Sequence, residues 1–262
     1  MSPRANPPKK RLGQHFLKDP NTARIVAAGV TDRDVVLEVG PGRGFLTTFL
    51  AERARLVHAV EIDPDVLPDL RGAVRAVDNV VVHEADALRF DYANLSPAPN
   101  KLAANLPYNV ASPLVLMLLE EVPGLASLRF MVQLEVARRM AASPGTKDYG
   151  AYAVLIQLLA EVEIAHRVSP NVFDPPPRVY SAVVEMERRR RGLEPEEYGG
   201  VKELVLAAFR SRRKRLANNL PADSRADATH ALASLGFGQD ARAEELSPGD
   251  FVALYRALSG GT

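Results

Sequence analysis

Residues 35–44 read VVLEVGPGRG, a short apolar run that is stopped by closely spaced glycines. An uninterrupted run of aliphatic residues bounded by glycine is typical of a strand buried on both faces, as in a parallel sheet. Beyond the glycines, Leu46, Phe49 and Leu50 recur at helical spacing. A strand, a glycine-rich turn and a helix in this order indicate an α/β fold with a ligand site at the turn.

The same alternation of strand and helix continues along the chain. After the first strand, the predicted strands are Leu56–Ile62, Val80–His83, Lys101–Ala104 and Leu128–Gln133. The predicted helices begin at Asp19-Pro20, at Asp63-Pro64 (running to about Val77) and at Ser112-Pro113. Strands that alternate with helices predict a doubly wound, Rossmann-like parallel sheet.

Past Ile164 the pattern changes. Strand-like residues flank a proline-rich loop at 169–178, and Ser181–Met186 forms a last predicted strand. Because no helix separates these two strands, we expect an antiparallel hairpin at one edge of the sheet.

The remainder of the chain differs in composition. Residues 188–200 are polar and rich in Gly and Glu, and helical patterns follow at 201–216, 225–235 and 247–258. We therefore predict an α/β domain over 1–187, a linker over 188–200 and a small all-α domain over 201–262. The first residues, to about Leu17, are predicted to form a flexible basic arm.

The composition excludes several classes of protein. Of the 262 residues, 47% are hydrophobic and 25% are charged, as in an ordinary globular protein. The absence of cysteine excludes disulfides, thiolate metal ligands and a cysteine nucleophile, and it fits a reducing cytoplasm. The chain has neither a signal-peptide pattern nor an apolar run of roughly 18 residues, so we expect no membrane span. No metal site is predicted.

Basic residues cluster in two places although the formal net charge is only +1. The first cluster contains Arg4, Lys9, Lys10 and Arg11, and the second contains Arg188, Arg189, Arg190, Arg191, Arg210, Arg212, Arg213, Lys214 and Arg215. Such clusters suit a polyanionic partner such as nucleic acid. On charge alone, a pair of solvated surface faces is an equal alternative.

The glycine spacing after the first strand distinguishes between nucleotide ligands. Dinucleotide sites space their glycines as G-x-G-x-x-G, which seats a pyrophosphate at the helix N-terminus. Here the spacing is G-x-G-x-G, and the third glycine of a dinucleotide site would fall on Phe45. This spacing favours a ligand with a nucleoside but no pyrophosphate, of which S-adenosylmethionine is the common one.

Acidic residues stand at the ends of the next two predicted strands. Glu61 is placed to accept hydrogen bonds from both ribose hydroxyls, and Asp86 to accept one from the adenine amine of the cofactor. Each acid alone is equally well explained as a turn or cap residue. Together they indicate a cofactor site, because ligands of such sheets bind at the carboxyl ends of the strands.

The tetrapeptide Asn105-Leu106-Pro107-Tyr108 follows the fourth strand and is predicted to be the chemical centre. An adenine amine is a poor nucleophile because its lone pair is delocalised, so an enzyme must localise that lone pair and align it with a methyl donor. The Asn105 side-chain oxygen and the Leu106 carbonyl are predicted to accept the amine N–H groups. Pro107 is predicted to fix the turn, and Tyr108 to stack on the base.

Phe173, in the proline-rich loop, is the candidate for a second aromatic that holds an extruded base. The alternative for Phe173 is a place in the hydrophobic core.

The chain resembles the KsgA-type 16S ribosomal RNA adenine dimethyltransferases over nearly its whole length. The motifs that carry the resemblance are RLGQHFL (11–17), EVGPG (38–42), EID (61–63), DA (86–87), NLPYN (105–109), QLEVA (133–137), FDPPPRV (173–179) and FRSRRK (209–214). The family usually has asparagine where His15 stands and often has aspartate at the position of Tyr180.

The resemblance implies N6-dimethylation, with S-adenosylmethionine, of two adjacent adenosines in the 3′-terminal hairpin of 16S rRNA. It implies a monomeric cytoplasmic enzyme that acts on an immature small ribosomal subunit and whose C-terminal helices bind RNA or the ribosome. The glycine-rich loop and the resemblance together predict the residues that contact the cofactor. They are His15, Leu17, Glu38, Gly40, Gly42, Glu61, Asp86 and Asn105.

Three alternatives stay open. Erythromycin-resistance methyltransferases share fold and chemistry but modify large-subunit rRNA; Asn109, the 145–150 segment and the triple proline favour the small-subunit enzymes. A non-catalytic ribosome-assembly factor would not need an intact Asn105–Tyr108. A DNA adenine methyltransferase usually has two prolines after the first residue of the tetrapeptide, where this chain has Leu106. The number of methyl groups per adenine does not follow from the residues.

Overall fold

The computed structural model describes Lys9, residues 12–189 and residues 193–260. The basic residues Arg4, Lys10, Arg11, Arg190 and Arg191 of the two predicted clusters lie outside these described residues. Contacts divide the chain into two compact units. The first contains the residues up to Ala137 together with Val162–Arg188, and the second contains Arg138–Glu161 and the residues from Arg189 onward.

The strands of the described residues form one large and one small sheet. In chain order they are β1 (Phe16–Leu17), β2 (Val35–Val39), β3 (Leu56–Glu61), β4 (Val80–Glu84), β5 (Lys101–Asn105), β6 (Ser127–Gln133), β7 (Ala160–Val168), β8 (Phe173–Asp174) and β9 (Ser181–Arg188). Within the described residues, the large sheet has the order β4-β3-β2-β5-β6-β9-β7. From β4 to β6 the neighbouring strands are parallel, whereas β9 is antiparallel to β6. The predicted Rossmann-like sheet with an antiparallel edge is therefore confirmed.

Helices connect these strands and make up the end of the chain. They are α1 (Pro20–Val26), α2 (Phe45–Ala51), α3 (Leu67–Ala73), α4 (Ala111–Glu121), α5 (Leu134–Met140), α6 (Ala151–Leu159), α7 (Pro195–Ala208), α8 (Leu216–Asn219), α9 (Arg225–Ser234) and α10 (Pro248–Ser259). The start of α1 follows from its sequence, since the Asp19 side chain accepts from the Thr22 backbone N–H at 2.7 Å and Pro20 is the first helical residue. Over the described residues, no helix is long and apolar enough to cross a membrane.

The central strand β2 is buried along its whole length, as its sequence predicts. Val36 from β2, Ala103 from β5 and Met131 from β6 belong to one buried apolar cluster. Leu46 and Leu50 from α2 are in the same cluster. This packing covers the sheet and holds the glycine-rich turn between β2 and α2 at the carboxyl end of the strand.

The helix predicted to begin at Asp63 begins instead at Leu67. Residues 64–66 form a turn, in which the Asp63 carboxylate accepts from the Asp65 backbone N–H at 3.2 Å. A side chain that bonds the backbone two residues further on competes with helix formation, so α3 starts one turn later.

The helix predicted at 201–216 was wrong at both ends. It begins at Pro195, a favoured first helical residue, and this start shortens the linker predicted at 188–200. It ends at Ala208 because Asn219 Nδ2 donates to the carbonyl oxygens of Ala208, at 2.6 Å, and Ser211, at 3.0 Å. Those carbonyls are thereby satisfied without a further turn of helix.

The second unit contains a segment, Arg138–Glu161, that the predicted boundary at residue 187 assigns to the first domain. Aromatic packing explains the difference. Tyr149 is fully buried, and its hydroxyl donates to the Leu246 carbonyl at 2.8 Å. Its ring also lies 6.2 Å, centroid to centroid, from that of Phe209, which in turn contacts Phe251.

Two adjacent glycines of α7 have opposite surroundings and predict opposite stability effects. A Cβ at Gly199 would meet open space, whereas one at Gly200 would overlap the Tyr255 ring on α10. We expect Gly199→Ala to raise the free energy of unfolding by about 0.5–1 kcal/mol, because alanine favours the helix. We expect Gly200→Ala to lower it by about 1–3 kcal/mol, because the Tyr255 ring must move. Urea denaturation measures both; equal stabilisation by the two variants would contradict the packing.

Candidate active site

A cavity of about 540 Å³ opens at the carboxyl ends of the parallel strands, within the first unit. Its volume suits a small organic ligand, since such sites span roughly 300–1,000 Å³. The predicted site residues that line it are His15, Leu17, Glu38, Gly40, Gly42, Glu61, Asp86, Asn105, Leu106, Pro107 and Tyr108. The structure therefore brings together residues that are distant along the chain. Over the described residues, no group of three or more acidic or histidine side chains has the arrangement of a metal site.

The glycine-rich turn requires glycine for two reasons. Gly40 and Gly42 have φ angles of +69° and +58°, a region that other residues rarely adopt. A Cβ on Gly40 would lie 2.9 Å from Pro107 Cγ, and one on Gly42 would lie 2.9 Å from a ring carbon of Phe16. The turn therefore packs directly against the tetrapeptide on one side and against β1 on the other.

Glu61 stands at the end of β3, as predicted, and joins that strand to the glycine-rich turn. One carboxylate oxygen accepts from the Gly42 backbone N–H at 2.9 Å and the other accepts from the Asp63 N–H at 2.9 Å. Burial raises the pKa of Glu61, and the bonds from Asp63 and Gly42 oppose that rise. Its contact with a ribose stays a prediction.

Asp86 lies beyond the end of β4, half-buried on the cavity wall. Its carboxylate accepts from the Leu88 backbone N–H at 3.0 Å, which orders the turn. Its contact with an adenine also stays a prediction.

Asn105 ends β5 and has a side chain that is only partly satisfied. Its Nδ2 donates to the His15 carbonyl at 3.1 Å, which sets the orientation of the amide. Its Oδ1 is buried and has no hydrogen-bond partner among the described residues. A buried acceptor without a partner costs free energy, so at a cavity wall it indicates a donor on the ligand. Next to it, the Leu106 N–H donates to the Met131 carbonyl at 3.1 Å and ties the tetrapeptide to β6.

Tyr108 is held by two other parts of the first unit. Its hydroxyl hydrogen-bonds the fully buried Ser181 Oγ at 2.5 Å, and its ring centroid lies 5.4 Å from that of His15. Burial raises the pKa of Tyr108, although the bond with Ser181 opposes that rise, so the phenol stays neutral. His15 Nδ1 donates to the Pro175 carbonyl at 2.8 Å, which leaves Nε2 as the nitrogen available to a ligand.

Phe173 does not take the predicted position. Its side chain is fully buried in an apolar cluster with Leu17 and Val26, and it is not among the residues that line the cavity. The prediction that Phe173 stacks on a base is wrong in this arrangement, and the core alternative holds. The cause is the antiparallel pairing of β1 with β8, which sets Leu17 opposite Phe173. Because Phe16 and Leu17 belong to this pair of strands, the flexible arm that was predicted to reach Leu17 ends before Phe16.

Sequence reasoning missed three side chains that build the site. Phe16 lines the cavity under the Arg43 guanidinium, which lies 4.4 Å from its ring centroid. Gln14 Nε2 donates to Asp63 Oδ2 at 2.7 Å, and Ser181 bonds Tyr108. The only signal for Gln14 and Phe16 was their place in the motif at 11–17. Nothing in the local sequence around Ser181 points to its partner.

A family model described as ribosomal RNA adenine dimethylase matches residues 5–259. The protein of Rubrobacter xylanophilus named ribosomal RNA small subunit methyltransferase A is 77% identical over 259 residues, which cover 99% of this chain and 98% of that protein. The protein of the same name from Mycobacterium tuberculosis is 42% identical over 265 residues, covering 97% and 84%.

Two solved structures are similar to this chain in fold. A dimethyladenosine transferase from Plasmodium falciparum superposes with a TM-score of 0.78 at 25% identity, covering 92% of this chain and 96% of that one. The 23S rRNA methyltransferase ErmE superposes with a TM-score of 0.73 at 30% identity, covering 93% and 99%. The relatives named for the small subunit are the more similar in sequence. With the family match over almost the whole chain, these likenesses show that the chain belongs to the ribosomal RNA adenine dimethylase family.

Proposed function

We propose that this chain transfers methyl groups from S-adenosylmethionine to N6 of two adjacent adenosines in the 3′-terminal hairpin of 16S rRNA. The observation that carries the proposal is the buried Asn105 Oδ1, an acceptor without a partner among the described residues, at the wall of a cavity lined by the glycine-rich turn. Family membership and the names of the small-subunit relatives support the choice of substrate.

The cavity fits S-adenosylmethionine. Gly40 and Gly42 line the cavity with backbone alone, and a Cβ at either position would overlap Pro107 or Phe16, so only glycine keeps the turn in this place. Glu61 would hold the ribose and Asp86 the adenine, while His15, Leu17 and Asn105 would close the site around the cofactor. When bound, the cofactor supplies an electrophilic methyl group.

The tetrapeptide prepares the adenine amine. Asn105 Oδ1 and the Leu106 carbonyl accept its two N–H groups, which draws the nitrogen towards tetrahedral geometry and localises its lone pair. Tyr108 stacks on the base, with its ring held by Ser181 and His15. No general base is required, since the proton can leave after transfer. After the first transfer only one N–H remains, so dimethylation rests on the family alone.

The second unit supplies a surface for RNA in this proposal. Arg212 bonds Glu244 and Arg215 pairs with Asp240, whereas the side chains of Arg213 and Lys214 are exposed. Exposed cations that are not held by carboxylates are the ones available to phosphate.

We expect Arg213→Gln to reduce the slope of log Kd against log salt concentration by about 0.7–0.9 if the side chain contacts one phosphate. The same holds for Lys214→Gln, and binding of small-subunit rRNA at several salt concentrations measures it. Arg75→Gln, an exposed arginine of the first unit, is the matched control. Unchanged slopes for both variants would mean that Arg213 and Lys214 lie on a solvent-exposed face that does not contact phosphate.

Two substrates distinguish the proposal from its nearest alternative. The chain is incubated with labelled S-adenosylmethionine and unmodified small or large ribosomal subunits, in separate reactions. We expect label on small subunits, with more label on immature than on mature particles. Label on large subunits alone would favour the erythromycin-resistance type, and label on neither would favour an assembly factor. We also propose that the protein is a monomer and that it acts in the cytoplasm. Sedimentation of the purified protein tests the oligomeric state.

A further inference from the structure

Glu38 is a buried acid whose charge the chemistry above does not use. It lies on β2 with 1% of its surface exposed, and it lines the cavity. Its Oε2 is buried and has no hydrogen-bond partner among the described residues. A carboxylate in that position is costly unless a cation or a donor reaches it, so the site calls for a ligand group.

The strand order indicates which part of the ligand reaches Glu38. Along the sheet the strands run β4-β3-β2-β5, so their carboxyl ends present Asp86, Glu61, Glu38 and Asn105 in that order. In the proposed function the adenine lies at Asp86, the ribose at Glu61 and the accepting amine at Asn105. The part between the ribose and the accepting amine is the sulfonium with its amino-acid arm. Glu38 therefore faces the cationic part of the cofactor.

We propose that Glu38 is the counter-charge of the sulfonium, that it loses a proton when the cofactor binds, and that it thereby distinguishes the cationic methyl donor from its neutral thioether product. This inference rests on the proposed function, because it assumes that cofactor. In the step itself the Glu38 O–H bond breaks, the electron pair stays on the carboxylate oxygen, and the proton passes to solvent.

The protein groups around Glu38 favour its neutral form at pH 7. Burial raises the pKa of Glu38 to about 8; the nearby Thr47 hydroxyl opposes that rise, and the negative charge of Glu61 adds to it. A nearby cation favours the ionised form and lowers the pKa again. A ligand that prefers ionised Glu38 therefore binds more tightly as pH rises towards about 8, and its affinity levels off above that pH. The thioether keeps the α-ammonium of the amino-acid arm but lacks the sulfonium charge, so the part of this gain that comes from the sulfonium is absent for it.

Other charged and titratable groups also face the cavity. Besides Glu61 they are His15, Lys18, Arg43, Asp86, Tyr108 and Asp174, from β1 and its flanks, the glycine-rich turn, the ends of β4 and β5, and β8. All of them remain when Glu38 alone is changed to Gln, a neutral isostere of the protonated acid. A comparison of the two proteins therefore isolates Glu38.

The test is calorimetric binding of S-adenosylmethionine and S-adenosylhomocysteine from about pH 6 to about pH 9, in pairs of buffers that differ in ionisation enthalpy. In the wild-type chain we expect release of up to one proton on binding the sulfonium near pH 7. We expect its preference over the thioether to rise by up to about tenfold per pH unit below pH 8. In Glu38→Gln we expect a preference about tenfold or more lower and independent of pH. Glu84→Gln, an exposed acid at the end of β4, should behave as wild type.

Two outcomes would overturn the inference, and they are distinguishable. Binding of both compounds with the same preference and pH profile in wild type and Glu38→Gln would overturn the inference alone. Binding of neither compound by the wild-type chain would overturn the proposed function and this inference with it. Proton release is measured on the wild-type protein itself, so the result does not depend on how well the variant folds.

Discussion

Asn105→Ala is expected to lower the single-turnover rate of adenine methylation by about 100- to 1,000-fold at saturating cofactor and substrate. The substitution removes the buried Oδ1, which has no partner among the described residues and which, in the proposed function, accepts an N–H of the adenine amine. It also removes the Nδ2 bond to the His15 carbonyl. Incorporation of labelled methyl groups into unmodified small subunits measures the rate.

The matched control for Asn105 is Asn21→Ala. Asn21 is an exposed asparagine of α1, where its Oδ1 accepts from Arg24 at 3.0 Å. We expect the control to methylate at the wild-type rate. A rate for Asn105→Ala within about threefold of the control would mean that amine polarisation by this side chain is not part of the reaction.

Gly40→Ala is expected to weaken cofactor binding by at least about tenfold and to lower the free energy of unfolding by about 2–4 kcal/mol. A non-glycine residue at a φ of +69° costs about 1–2 kcal/mol. The added Cβ would lie 2.9 Å from Pro107 Cγ, so the tetrapeptide or the turn must shift, at a further cost of about 1–3 kcal/mol. Calorimetric binding and urea denaturation measure the two effects.

Gly29→Ala separates the cost of backbone strain from the cost of the contact with Pro107. Gly29 has a φ of +77°, close to that of Gly40, but a Cβ there would meet nothing within 4 Å. We therefore expect a similar backbone strain without loss of cofactor binding. If the two variants lose the same stability and both keep wild-type cofactor affinity, the contact between Gly40 and Pro107 has no role in the site.

The sequence by itself predicted the fold class and the edge of the sheet at which the cavity lies. The apolar runs at β2, β3, β5 and β6 and the glycine spacing at 40–44 are local patterns, set by the strand period and by backbone conformations that only glycine tolerates. Because parallel strands present their carboxyl ends at one edge, Glu61, Asp86 and Asn105 could be assigned to one cavity before any contact was known.

Helix ends were less predictable than strands. Helix α7 ends at Ala208, where the backbone carbonyl accepts a hydrogen bond from the side chain of Asn219, a residue eleven positions later in the sequence. The Asp63 carboxylate delays α3 while also bonding Gln14 from another part of the chain. Capping by a side chain outside the element has no period along the sequence, so a pattern of apolar residues does not reveal it.

Only the tertiary structure decided the state of the side chains around the tetrapeptide. It placed Phe173 in the core, by pairing β1 with β8, and left Asn105 Oδ1 and Glu38 Oε2 buried without partners among the described residues. It also placed Ser181, 73 positions away in the sequence, within hydrogen-bond distance of the Tyr108 hydroxyl. These outcomes depend on which distant surfaces pack together and exclude water, whereas strand period and turn chemistry act over a few neighbouring residues.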